Sequence, residues 1–255
     1  MIVVGTTLTA FAMSKGEELW GSWFYNNEAI KATHEVKYFA AIEVDSRGLE
    51  PFTPFIRKLL SIGGEYWDFS YNDRRTSVDS TNRIRHISMG RNIIQDYALS
   101  LDEAGKDATH ILHVDADMRI PDDTIPKLIE MNHPIVGGDV WETYRCTGPK
   151  VDKYPFPVEQ HQNTAGFLMM SRELFRRVRW RADFGKSMMA PDNPDLQRPM
   201  TEEPCMYADS LALGFPWYVR KDLVGVHYPR QVPLLEERGY DLNVLHGGTI
   251  GDTSV

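Results

Sequence analysis

The chain alternates short runs of apolar, β-branched and aromatic residues with segments in which apolar residues recur at helical spacing. The strands predicted from these runs are Ile2–Leu8, Tyr38–Val44, Tyr66–Tyr71, His110–Val114, Ile135–Val140, Thr164–Met170 and Phe215–Val219. The predicted helices are Glu17–Lys31, Pro54–Ile62, Gly90–Ser100 and Arg172–Val178, with a further helix starting near Pro121. This alternation is typical of an α/β fold whose early strands are largely parallel.

Composition narrows the class of protein further. With 255 residues, of which 42% are hydrophobic and 25% are charged, we expect one globular domain. No apolar run approaches the roughly 20 residues that span a bilayer, so we expect no membrane anchor. The two cysteines, Cys146 and Cys205, are too few and too isolated for a disulfide scaffold or a zinc site, which favours the reducing cytoplasm. A net charge of −8 argues against a general nucleic-acid binder, although a local basic groove stays open.

Two carboxylates directly follow the apolar run Ile111–Val114. Asp115 and Asp117 are spaced one residue apart, and ligands of open α/β sheets gather beyond the carboxyl ends of strands. Hard oxygen ligands at such a place suit Mg²⁺ or Mn²⁺, which in turn bridges a pyrophosphate. Two acids in a turn are just as often solvated or helix-capping residues, so the motif alone leaves open whether they bind a metal or only stabilise the turn.

The context of these acids resembles a known family. The segment ATHILHVDADMRIPDDTIPKLIEM is similar to the strand, turn and helix that carry the Asp-x-Asp motif in glycosyltransferases of the GT-A fold, and the similarity runs from about residue 1 to 230. It implies a Rossmann-like α/β domain over 1–230, with a mostly parallel central sheet flanked by helices. Within it, 1–118 corresponds to the nucleotide-sugar-binding half and 119–230 to a mixed acceptor-side half. Residues 231–255 are expected to form a C-terminal tail, for which a lid is the suggested role.

Upstream of the acids, two further motifs resemble the family. The segment Ser88–Ile94 is similar to its Arg-Asn helix start, which implies that Arg91 and Asn92 lie against the donor and the metal-binding acids. Asp45, at the end of the second strand, matches an acid that contacts the nucleotide base. The first strand departs from the pattern, since Thr6–Thr9 replaces the usual Pro-x-Tyr-Asn turn.

Downstream, the resemblance implies residues for acceptor activation and for the metal. Asn163–Phe175 looks like the glycine-led strand and helix beside the acceptor. Glu202 and Glu203 resemble an acidic pair that is usually Glu-Asp, and Glu203 is implied as the base that activates the acceptor in an inverting reaction. His227 stands where many members complete the metal shell. The alternatives from the residues themselves are ordinary first-turn helix acids and a buried, hydrogen-bonded histidine.

The implied activity is a metal-dependent glycosyl transfer of the hexosyltransferase type. Asp115, Asp117 and His227 are expected to hold Mn²⁺ or Mg²⁺ against the diphosphate of a nucleotide-sugar donor, with UDP-sugar favoured over GDP-sugar. The donor contacts are expected from Asp45, Arg91, Asn92 and the two aspartates, and Arg91 is also expected to stabilise the leaving group.

Three rival interpretations remain open. A nucleotidyltransferase shares the scaffold, but such enzymes usually carry a glycine-rich phosphate loop with Arg or Lys near the first strand, and GTTLTAFAMSKG, which begins within that strand, lacks one. A non-catalytic sugar-binding module has no need of the second acid. The third alternative concerns the acceptor, which is open between a glycan, a protein, a small molecule and a hydroxymethylated base in phage DNA. A DNA acceptor would need a phosphate-contact surface, for which the candidate is a basic cluster formed by Arg74, Arg75, Arg83, Arg85 and His86. The proline-containing loops 142–163 and 183–201 are the predicted acceptor contacts.

Overall fold

The computed structural model describes a central sheet, helices that pack on both of its faces and parts of the connecting loops. The described residues are 1–9, 13, 20–21, 23–24, 34–70, 80–102, 104–140, 158–159, 166–181, 183–184, 199–200 and 202–227. The predicted tail and most of the two predicted loops lie outside these ranges. The helix predicted at Glu17–Lys31 is described only at single positions, where Trp20, Trp23 and Phe24 are helical and buried.

The described elements follow one another in alternation. The strands are β1 (Ile2–Leu8), β2 (Val36–Glu43), β3 (Glu65–Phe69), β4 (His110–Val114), β5 (Met118–Arg119), β6 (Ile135–Val140), β7 (Val158–Glu159), β8 (Phe167–Ser171), β9 (Asp183–Phe184), β10 (Pro199–Met200) and β11 (Tyr218–His227). The α-helices are α1 (Thr53–Ser61), α2 (Ser80–Ser100), α3 (Thr124–Glu130), α4 (Arg172–Phe175) and α5 (Glu202–Ala212), and a 3₁₀ turn at Glu50–Phe52 precedes α1.

Nine strands form one sheet in the order β3-β2-β1-β4-β8-β6-β11-β5, with β7 paired to β11. The pairs β3·β2, β2·β1, β1·β4 and β6·β11 are parallel, whereas β8 runs antiparallel to both of its neighbours. The prediction of an α/β fold with a mostly parallel central sheet flanked by helices is therefore confirmed. The antiparallel β8 makes the second half of the sheet mixed.

Apolar cores cover both faces of this sheet. Successive strand residues point to opposite faces, so Ile111 and Leu112 on β4 belong to different cores. One core packs Leu112 and its neighbours against α1, α3 and the helical residues Trp20 and Trp23. The other packs Ile111 against α2, α4 and α5. The result is a three-layer α/β/α arrangement, and no described helix combines the length and apolar content needed to cross a bilayer.

Helix α2 and strand β11 differ most from their predicted bounds, and β11 continues to His227, past the predicted end at Val219. Helix α2 begins at Ser80, ten residues before the predicted Gly90, so Arg91 and Asn92 lie in the middle of a helix and not at its start. The added turns, STNRIRHISM, carry few apolar residues, and polar turns of this kind give no periodic signal. The last strand starts at Tyr218, three residues after the predicted Phe215, because Pro216 has no backbone N–H for the ladder.

The middle of the sheet depends on close packing around one aromatic ring. A Cβ added at Gly138 on β6 would lie 1.9 Å from Cζ of Phe167 and 2.7 Å from the carbonyl oxygen of Leu223. A Cβ at Gly225 on β11 would lie 2.5 Å from Cε1 of the same ring. Phe167 follows Gly166, whose carbonyl oxygen accepts a hydrogen bond from the Asp115 N–H at 2.9 Å. The packing of this ring therefore supports the loop that carries the paired acids.

We predict that Gly138→Ala lowers the free energy of unfolding by about 1–3 kcal/mol or more, the range seen when a packed core must accept an extra carbon. Urea denaturation followed by circular dichroism measures the change. Gly21→Ala is the matched control, because no atom of the described residues lies within 4 Å of its added Cβ and the residue is helical. That control should be neutral or stabilising by up to about 1 kcal/mol. Equal effects of the two substitutions would contradict the packing described for Phe167.

Candidate functional site

Asp115 and Asp117 lie in a tight turn directly after β4. The Asp115 N–H donates to the carbonyl oxygen of Gly166 at 2.9 Å, and the Asp115 carbonyl oxygen accepts from the Met118 N–H at 3.0 Å. These two bonds hold the turn against the start of β8. Because strand residues alternate in direction, His113 and Asp115 lie on the sheet face that α2 covers. The Asp115 side chain is 40% exposed, so it reaches solvent at the sheet edge.

A buried arginine joins this turn to α5. Arg91 on α2 is 3% exposed. Its Nη2 donates to Oδ1 of Asp115 at 3.3 Å, and its Nη1 donates to Oε1 of Glu202 at 3.2 Å. Glu202 is itself buried, in the first turn of α5. One cation therefore binds two carboxylates that are 24 and 111 positions away in the chain.

A neighbouring segment holds this arginine in place. The guanidinium carbon of Arg91 lies 4.5 Å from the ring centroid of Trp180, a cation–π contact. Asn92 fastens the Trp180 backbone, since its Nδ2 donates to the Trp180 carbonyl oxygen at 2.7 Å and its Oδ1 accepts from the Trp180 N–H at 2.8 Å. One turn later, Nε2 of Gln95 donates to the carbonyl oxygen of Val178 at 3.1 Å. Nearby positions of α2 thus carry the arginine and hold the backbone of the segment that supplies the Trp180 ring.

The electrostatics of the site favour a permanently charged arginine. Burial lowers the pKa of Arg91, but the carboxylates of Asp115, Glu202 and Glu203 outweigh burial, and the pKa lies above its ordinary value. His113 lies edge-to-face with Trp180, with 5.4 Å between ring centroids. Burial, and then the Arg91 charge, hold the pKa of His113 well below its usual range. His113 therefore stays neutral, and its ring nitrogens have no hydrogen-bond partner among the described residues.

The last strand places the backbone of His227, the third predicted metal ligand, close to the two acids. On β11, His227 pairs with Met118 of β5, the residue that follows Asp117. The side chain of His227 lies outside what the structure describes. Within the described side chains, no group of three or more histidine, cysteine or acidic residues is arranged to hold a metal ion. The described part of the predicted metal set is therefore the Asp115-x-Asp117 pair.

A second polar group lies two strands away, at the carboxyl end of β2. The Asp45 carboxylate binds Arg47 through its guanidinium, with a shortest distance of 2.6 Å, and through its backbone N–H at 2.9 Å. The side-chain hydrogen bond to Arg47 lowers the pKa of Asp45. Next to it, burial and then the Asp45 charge raise the pKa of Glu43 to about 7. Glu43 contacts Nδ1 of His86, one of the residues of the predicted basic cluster.

Some residues of the site could be anticipated from sequence and others could not. The structure brings Arg91, Asp115 and the Glu202-Glu203 turn together, whereas it directs the Asn92 carboxamide to the Trp180 backbone. The part played by Trp180 was missed, because the sequence RVRW around it has no recognisable motif. From the basic cluster, Arg74 and Arg75 lie outside the described residues, as does the side chain of Arg83.

Comparisons with known proteins identify the fold but not a family. No protein-family model matches the chain, and no curated protein matches it in sequence. A nucleoside-diphosphate-sugar pyrophosphorylase from Vibrio cholerae RC9 aligns over 93% of this chain and 100% of its own, with 10% identity and a TM-score of 0.54. At such low identity this similarity is one of fold alone.

Two glycosyltransferases align more weakly. LgtC, described as a galactosyltransferase, aligns in the form of an active-site mutant over 87% of this chain and 72% of its own, with 14% identity and a TM-score of 0.44. A glycosyltransferase involved in glycosylation of the major capsid of PBCV-1 aligns over 89% of this chain and 92% of its own, with 10% identity and a TM-score of 0.40.

Proposed function

We propose that this protein is a metal-dependent glycosyltransferase that transfers a sugar from a nucleoside-diphosphate sugar to an acceptor hydroxyl. The observation that carries the proposal is the cluster formed by Asp115, Arg91 and Glu202 at the carboxyl edge of the sheet. A buried arginine between a strand-end acid and an acidic helix start has a clear chemical use. It fixes a carboxylate at the edge where open α/β sheets bind their ligands.

The sheet geometry supports a nucleotide donor at this edge. Strands β2, β1 and β4 are adjacent and parallel, so their carboxyl ends share one edge. Asp45 follows β2 and Asp115 follows β4, which separates them by two inter-strand spacings, on the order of 10 Å. A nucleoside diphosphate extends across a separation of that order. We assign the nucleoside to the Asp45 side and the diphosphate to the Asp115-x-Asp117 turn.

The described acids fit a hard divalent cation. Mg²⁺ is commonly bound by one or two protein carboxylates together with substrate phosphates, and Mn²⁺ accepts the same oxygen ligands. Asp115 and Asp117 supply such a pair, and Asp115 is partly exposed to solvent. His227 is proposed as a third ligand from its backbone position opposite Met118. When bound, the cation would neutralise the negative charge of the departing nucleoside diphosphate.

The chain's own residues would contribute orientation and proton transfer. Arg91 orients Asp115, and Asn92 supports Arg91 through Trp180. Glu203 lies next to Glu202 in the first turn of α5 and is only partly buried. In an inverting transfer it would accept the acceptor's hydroxyl proton, while the sugar carbon breaks its bond to the diphosphate oxygen and forms one to the acceptor oxygen.

A nucleotidyltransferase is the second candidate, because the alignment with the pyrophosphorylase favours that class of enzyme on fold. The two candidates share the nucleoside-diphosphate sugar, which is the donor of one and the product of the other, and differ in their other ligands. A glycosyltransferase binds a nucleoside-diphosphate sugar as its donor. A nucleotidyltransferase that makes such sugars starts from a nucleoside triphosphate and a sugar phosphate. A binding screen that contains both sets of ligands separates the candidates.

We predict that a UDP-sugar or GDP-sugar raises the melting temperature only when Mn²⁺ or Mg²⁺ is present. A ligand at about 100 times its Kd adds about 2.7 kcal/mol, equivalent to roughly 5–10 °C for a chain of this size. Asp117→Asn and EDTA should each remove the shift while the fold remains intact. Asp123→Asn is the control, since that exposed acid pairs with Lys127. Stabilisation by a nucleoside triphosphate together with a sugar phosphate would favour the second candidate.

We predict that Glu203→Gln preserves donor binding but lowers transfer to the acceptor by about 10²–10⁴-fold, the usual contribution of a general base. The amide keeps the size of the side chain but accepts no proton. Glu203→Asp, which restores the family's commoner residue, should retain measurable transfer. The test compares the initial rate of product formation with the affinity for the donor. Near-normal transfer by Glu203→Gln would remove this residue as the base, and the anomeric configuration of the product, read by NMR, would then show whether the reaction is retaining or uses a base elsewhere.

A further inference from the structure

The buried Arg91 guanidinium lies between carboxylates from the two halves of the chain. Its hydrogen bonds to Asp115 and to Glu202 are of nearly equal length, 3.3 and 3.2 Å. The Arg91 and Glu202 side chains are 4% and 8% exposed, whereas the Asp115 side chain is 40% exposed. The arginine and Glu202 are interior groups, and Asp115 is the member of the three that meets solvent.

The charges of Arg91 and Glu202 act together on Asp115. The negative charge of Glu202 offsets part of the positive potential that Arg91 produces there. If the charge of Glu202 were removed, the positive potential of Arg91 at Asp115 Oδ1 would be uncompensated. A carboxylate held in that way is a poorer ligand for a divalent cation, because the guanidinium and the cation compete for the same oxygen lone pairs.

We propose that Glu202 is a positioning residue that shares Arg91 with Asp115 and thereby keeps the Asp115 carboxylate available to a divalent cation. The consequence for cation binding rests on the proposed function, whereas the sharing of Arg91 does not. The proposal separates the tasks of two adjacent acids. Glu202 faces Arg91 inside the protein, and Glu203 acts from a more exposed position at the start of α5.

The sharing of Arg91 is tested without any ligand, by a double-variant cycle. Glu202→Gln, Asp115→Asn and the combined variant are unfolded in urea. Either acid alone still pairs with Arg91, but the combined variant removes both of these carboxylates from a buried guanidinium, so its midpoint should fall by more than the sum of the single shifts. If both single variants fold and the combined variant does not, the loss of stability is again greater than additive and supports the sharing of Arg91.

The control cycle combines Glu202→Gln with Asp45→Asn. Asp45 pairs with the exposed Arg47 and belongs to another strand end, so those midpoint shifts should add. Additive shifts in the cycle of Glu202 with Asp115 would overturn the sharing of Arg91.

The consequence is tested with Mn²⁺ alone, by the electron paramagnetic resonance signal of the free ion. Glu202→Gln should raise the Kd for Mn²⁺ at least tenfold, because one charge acting on a divalent cation about 10 Å away across an effective dielectric constant near 20 changes binding on the order of 10²-fold. Glu202→Asp keeps the charge and should change the Kd less. Asp209→Asn on the same helix pairs with Arg181 and serves as the control, with no change expected.

The outcomes separate this inference from the proposed function. Normal Mn²⁺ binding by both the unmodified protein and Glu202→Gln overturns the inference and leaves the proposed function intact. Failure of the unmodified protein to bind Mn²⁺ rejects the metal in the proposed function and the consequence drawn here, and the urea cycle still decides whether Arg91 is shared.

Discussion

The site depends on the burial of one cation, the guanidinium of Arg91. A buried charge is costly unless it is paired and hydrogen-bonded, and here two carboxylates and one indole ring compensate for its removal from water. Each partner comes from a different element, namely the turn after β4, the start of α5 and the segment that ends at Trp180. The need to satisfy Arg91 therefore draws these three elements to one point.

The sheet determines where that point lies. Parallel pairing of β1 with β2 and β4 brings three strand ends to one edge, and the antiparallel β8 holds the turn through the bond from Asp115 to Gly166. The long helix α2 crosses this face with Gly90 packed against Thr7, where an added Cβ would lie 2.3 Å from the threonine methyl carbon. This close approach brings the next residue, Arg91, within reach of the strand ends. Packing and electrostatics thus support the same geometry.

Local patterns in the sequence predicted the strands and the acidic turn well, since β1, β4 and β6 begin and end where the apolar runs do. The same patterns could not reveal that Arg91 meets Glu202, because the contact joins residues 111 positions apart and has no periodic signal. They also missed the first ten residues of α2, whose polar turns resemble a loop, and the support that Trp180 gives. The resemblance to the GT-A fold indicated Arg91 and Glu202 separately. The structure adds the hydrogen bond that connects them.

The proposed function requires the turn at Asp115 and Asp117 to bind a divalent cation together with a nucleoside diphosphate. The most direct measurement is the anomalous X-ray scattering of Mn²⁺ in crystals grown with UDP or GDP. We predict one strong anomalous peak in coordination contact with Asp117, beside Asp115 and the diphosphate, with Arg91 still bound to both of its acids. A nucleotide bound at this edge with no Mn²⁺ peak, or a peak away from both aspartates, would contradict it.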